Sequence, residues 1–143
     1  MIKRVLFVCV GNSDRSPLMA LLLAWILKCA GHDVVCESAG IHEVAKSGFA
    51  SVWGITAAKR FGLDLSGHSR RHIRAVDLTS YDLIVCMNDA IAGTVIEAGV
   101  NYKKVYDAQV KNHWPIQFQE DYDNSCMPGI LNATYRIISR YWP

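Results

Sequence analysis

The sequence predicts an α/β domain: a twisted, parallel four-stranded sheet with helices on both faces. Three observations carry this. Short apolar runs without polar alternation read as strands buried on both faces. These runs alternate with helical segments. Glycine-rich turn chemistry separates the two. With 143 residues, 51% of them apolar, the chain is long enough for one domain spanning residues 1–143, with no linker, repeat or low-complexity tract.

Each element follows in order. Val5–Val10 is the first buried strand, and Gly11-Asn12-Ser13-Asp14 is a turn. Pro17 suits a first helical turn, and Leu18 to Ala30 forms a helix stopped by Gly31. Asp33–Glu37 is a second strand, closed by Ser38-Ala39-Gly40. Ser47 to Phe61 has helical composition and ends at Gly62. Asp82–Met87 is a third strand, Ala90–Ala98 a helix, and Lys104–Tyr106 a fourth strand. A last helix lies between Pro128 and Trp142, with Ile130, Leu131, Tyr135, Ile138 and Trp142 near helical spacing.

Composition excludes several roles. The formal net charge is +2, with no long basic run, so nucleic acid is not an expected partner. The longest apolar stretch, Leu18–Leu27, is shorter than the ~20 residues a membrane span needs. The apolar run behind Lys3 and Arg4 is too short for a signal peptide, so a cytoplasmic protein without membrane partners is expected. Five scattered cysteines, Cys9, Cys29, Cys36, Cys86 and Cys126, show no Cys-x-x-Cys spacing. Neither a disulfide framework nor a metal site is expected, and no cofactor is implied.

Parallel sheets bind ligands at the carboxyl ends of their strands. The loop after the first strand, Cys9-Val10-Gly11-Asn12-Ser13-Asp14-Arg15-Ser16-Pro17, joins a strand-end cysteine to a helix start through five residues. Inward-pointing amides and a helix N-terminus there form an anion cradle. Arg15 adds a bidentate contact for phosphate. The same positive field favours the thiolate of Cys9, and Ser16 can hydrogen-bond the sulfur. Gly11 and Asn12 tolerate left-handed backbone.

Residues Val8–Pro17 resemble the phosphate-binding loop of the low-molecular-weight protein tyrosine phosphatases, whose pattern is Val-Cys-x-Gly-Asn-x-x-Arg-Ser-Pro. Further similarities follow in order: Glu37-Ser38-Ala39-Gly40, Gly62-Leu63-Asp64, Gly67-His68-Ser69-Arg70 and Tyr81–Asn88. The resemblance implies two-step hydrolysis of a phosphomonoester. Cys9 attacks phosphorus to form a phosphocysteine, Arg15 and the loop residues 10–14 and Ser16 hold the oxygens, and an aspartate protonates the leaving group. It implies a supporting network of Asn12, Ser38, His68 and Asn88, the last standing where the family carries Asp. Phosphotyrosine proteins or small aryl phosphates are the implied substrates, with inorganic phosphate or sulfate as inhibitors.

Two departures qualify this. Asp14 stands where many members carry a second cysteine, so no disulfide within the loop is expected. A carboxylate there would oppose the thiolate by about 3 kcal/mol at ~5 Å and an effective dielectric near 20, unless its side chain points outward. The chain also has no Asp-Pro, the family's general acid. Counting from His113-Trp114 places the acid at Phe118, whereas counting from Cys9 places it near Glu120 and Asp121. Asp121 is the expected acid, with Glu120, Asp123 or no acid as alternatives. Trp114, Phe118 and Tyr122 are candidates for the wall of an aromatic pocket, with core or edge packing the commoner role for such residues. The alternative to a phosphatase is a phosphate- or phosphoprotein-binding pseudophosphatase. Arsenate reduction fits less well, because Met87 holds the relay position and only Cys86 lies nearby.

Overall fold

The computed structural model describes residues 1–143. Its sheet has four parallel strands in the order β2-β1-β3-β4. These are β1 (Arg4–Cys9), β2 (Val35–Gly40), β3 (Leu83–Cys86) and β4 (Val105–Asp107). Val5, Leu6, Phe7 and Val8 of β1 are fully buried, because β1 is an inner strand covered on both faces. Burying each such side chain is worth about 1.5–3 kcal/mol, which explains the absence of polar alternation.

The helices are α1 (Arg15–Cys29), α2 (Val52–Lys59), α3 (Asp89–Glu97), the short α4 (Gln119–Asp121) and α5 (Met127–Tyr141). The crossover β1-α1-β2 steps one way along the sheet and β3-α3-β4 steps the other. Right-handed crossovers therefore put α1 and α3 on opposite faces. Helix α5 packs beside α1, inserting Ile130, Ala133 and Ile137 into the core. The strand order reverses between β1 and β3, and the loop after β1 opens there.

Most boundaries shift by one to three residues, and α1 begins at Arg15 rather than Leu18. The second strand is Val35–Gly40 rather than 33–37, because its last residues pair alongside Val8 and Cys9. Helix α2 covers Val52–Lys59 rather than 47–61. Gly48 has φ 116°, which breaks a helix, and the Ser51 hydroxyl accepts from Gly54 N to start the next one. The last helix is preceded by α4 and a π-helical turn, Tyr122–Cys126. No helix is long and apolar enough to cross a membrane.

Candidate active site

The loop after β1 is fixed by bonds that converge on Asn12. This residue is fully buried, with φ 52°, the left-handed conformation that asparagine tolerates. Its backbone N–H donates to Cys9 Sγ at 3.2 Å. Its side-chain Nδ2 donates to Ser16 Oγ at 3.0 Å. The Ser16 hydroxyl lies 2.8 Å from Cys9 Sγ, and with Asn12 donating to its oxygen it is free to donate its own proton to sulfur. Two donors thus face Sγ, the arrangement a thiolate prefers.

The loop is braced from behind. Arg71 N donates to Asn12 Oδ1 at 2.9 Å, and His68 Nε2 donates to the Asn12 carbonyl at 2.7 Å. Burial, then the charges of Arg70 and Arg71, push the His68 pKa down against that bond, so a neutral ring carries the donating proton. Arg71 also reaches the Ser38 carbonyl at 3.0 Å and Glu37 at 3.3 Å. Gly40 ends β2 directly beneath the loop. A Cβ there would stand 2.6 Å from Ala45 Cβ and 2.7 Å from the Val10 carbonyl.

Cys9, Val10, Gly11, Ser13, Asp14, Arg15, Asn112 and Trp114 line a cleft of about 240 Å³. Arg15 is 6% exposed. Its guanidinium has one hydrogen bond, to the Val110 carbonyl at 3.5 Å, and forms no ion pair with a carboxylate. Burying a charge is costly without a partner, and the remaining donors suit a bidentate oxyanion.

The structure brings together Cys9, Asn12, Ser16, His68 and Arg15. Ser38 joins the same bracing through its carbonyl. Asn88 does not: its Oδ1 accepts from Ile91 N at 3.0 Å and caps α3. Asp121 is not brought to the cleft either; it is exposed on α4. The reason lies next door. Tyr122 is fully buried, and neighbours on a helix project about 100° apart, so Asp121 is turned outward. Glu120 is exposed too, and Asp123 is engaged by Arg60 and Gln119.

Of the three candidate aromatic residues, Trp114 lines the cleft. Phe118 is 62% exposed and outside the lining, and Tyr122 is core. Asp14 points inward, with Oδ1 accepting from the Tyr122 hydroxyl at 2.6 Å and the Ser51 hydroxyl at 3.3 Å. Sequence reasoning missed Arg71, Ser51, Val110 and Asn112. Only Arg71 left a signal, its place directly after the His68-Ser69-Arg70 stretch.

The comparisons with known proteins agree with this geometry. Residues 4–125 match the model of the family described as low molecular weight phosphotyrosine protein phosphatase. A human protein of that name is 31% identical over 93 residues, covering 62% of this chain and 56% of the relative. The Escherichia coli low molecular weight protein-tyrosine-phosphatase Etp is 36% identical over 83 residues, 58% of this chain and 53% of the relative. The chain thus spans a little over half the length of the curated relatives it matches. The low molecular weight protein tyrosine phosphatase from T. tengcongensis superposes with a TM-score of 0.83 at 25% identity, over 96% of this chain and 99% of that one. With loop, fold and family model in accord, the chain belongs to the low molecular weight phosphotyrosine protein phosphatase family.

Proposed function

We propose that residues 1–143 form a phosphatase domain that hydrolyses phosphotyrosine or another aryl phosphate monoester through Cys9. The observation that carries this reading is the buried Arg15 guanidinium, without a carboxylate partner, beside a Cys9 sulfur that faces two donors. Cys9 Sγ attacks phosphorus, the bond from phosphorus to the aryl oxygen breaks, and the electron pair leaves with the aryl oxide. Loop amides and Arg15 hold the equatorial oxygens as charge redistributes. Water then attacks the phosphocysteine and releases inorganic phosphate and the thiolate. Phosphate and sulfate bind the same cradle and compete with substrate.

The late loop supplies Asn112 and Trp114 to the cleft, and neither is an acid. This favours leaving groups that depart without a proton. A positioned acid typically contributes about 10²–10⁴-fold, so para-nitrophenyl phosphate should be turned over far faster than phosphotyrosine. The same observation favours a second reading, a phosphate-binding module with little turnover.

Steady-state hydrolysis of both substrates separates these. The expected outcome is Cys9-dependent turnover of para-nitrophenyl phosphate, abolished in Cys9→Ser, with Asp121→Asn unchanged. A loss of about 10²-fold on phosphotyrosine in Asp121→Asn would restore Asp121 as the acid. Phosphate binding without Cys9-dependent turnover would replace the enzyme by the binding module.

A further inference from the structure

Asp14 has no part in the chemistry just described, yet it is built into the wall of the cleft. It is 3% exposed. Its Oδ1 accepts from Tyr122 and Ser51, while its Oδ2 is buried with no hydrogen-bond partner. Ser51 caps α2, and Tyr122 is anchored in the turn before α5. One carboxyl group therefore ties the loop to two separate elements. A mere pin would need only an acceptor, which an amide supplies. A carboxyl group adds a charge that changes with pH, directly beside Arg15.

We propose that Asp14 is a proton-controlled positioning residue of the anion cradle. Neutral, it holds the loop to Tyr122 and Ser51 without opposing a bound dianion; charged, it weakens the cradle's grip. The inference rests on the reading of this loop as an oxyanion site. Burial raises the Asp14 pKa against the bonds from Tyr122 and Ser51 and the charge of Arg15, so the change of charge falls above the ordinary carboxylate range.

The groups around it are few. Arg15 on α1 sets its guanidinium beside the carboxyl group and favours the charged form of Asp14. Burial first, then the Asp14 charge, push Tyr122 and Cys126 up, the latter to about 11, and both remain neutral. Ser51 carries no charge. Asp123, next to Tyr122, is paired with Arg60. Cys9 lines the same cleft, and His68 acts on the loop through the Asn12 carbonyl.

Sulfate is the probe, because it stays a dianion throughout the working range. Its dissociation constant would be measured by calorimetry in Cys9→Ser, which removes the thiol, with and without Asp14→Asn, from about pH 5 to about pH 8. Binding to Cys9→Ser should weaken about tenfold as pH rises, and the double variant should stay at the tight end throughout. Because the His68 contribution is common to both proteins, it cancels in the comparison.

Tyr122→Phe in the Cys9→Ser background removes a donor that favours the charged carboxylate, so its transition should move to higher pH with the low-pH affinity kept. That variant carries the test if Asp14→Asn folds poorly. Parallel pH curves for Cys9→Ser and the double variant, or an unmoved transition in Tyr122→Phe, would overturn the proposal. Failure of sulfate to bind either protein at any pH would overturn the oxyanion reading itself, and the role of Asp14 with it.

Discussion

A carboxyl group that is 3% exposed, with one oxygen lacking any partner, leaves a signature in stability as well as in binding. An unfolded aspartate titrates near pH 3.9. Burial raises the folded value of Asp14, so between the two the native state holds a proton that the unfolded chain has released. The contribution to stability is complete below the unfolded value and is lost as pH rises through the folded one. Asp14→Asn keeps the acceptor for Tyr122 and Ser51 but cannot ionise. Thermal unfolding of both proteins from about pH 4 to about pH 8 should therefore show a gap that opens in the variant's favour as pH rises. A gap that stays constant would mean that Asp14 does not titrate in this window. Sequence alone left the direction of this side chain open, because it is decided by Tyr122, which lies 108 positions further along the chain.

At the scale of elements, Asn88 shows how a motif can be matched while its role changes. It sits two residues past β3 in extended backbone and caps α3 by accepting from Ile91 N. Asn88→Ala should cost about 1 kcal/mol, seen as a melting temperature lowered by about 3 °C, with sulfate affinity unchanged. A several-fold loss of affinity would return Asn88 to the bracing of the loop. The strands were legible because β1 and β3 are buried runs whose apolar character has no other use. The loop after β1 was legible because its bonds are local: Cys9, Asn12 and Ser16 lie within seven positions. The late segment was not. Residues 108–118 contain no helix or strand, and distant partners set their course. Ala108 N donates to the Cys86 carbonyl and Val110 N to that of Met87. Counting from either His113 or Cys9 therefore could not say which side chains reach the cleft, and those that do are Asn112 and Trp114.

Across the whole molecule, the C-terminal helix connects to the cleft through that same late segment. Arg136 on α5 donates to the Ala108 carbonyl at 2.8 Å. Ala108 and Val110 extend the β3 pairing beyond β4, and the Val110 carbonyl accepts from Arg15. Helix α5 lies beyond residues 4–125, the span shared with the family model, yet it holds the seat of the residue that would grip the anion. Ile130, Ala133 and Ile137 anchor α5 independently, so the Arg136 bond can be removed without unseating the helix. In Arg136→Ala, sulfate affinity should fall about threefold, the loss of a hydrogen bond worth ~0.7 kcal/mol. The far-ultraviolet circular dichroism should be unchanged, and the melting temperature should drop by no more than about 3 °C. Arg136→Lys cannot reproduce the planar guanidinium and should fall between the two. If Arg136→Ala melts earlier but binds sulfate as the wild type does, β3 alone positions the Val110 carbonyl, and α5 stabilises the sheet without reaching the site.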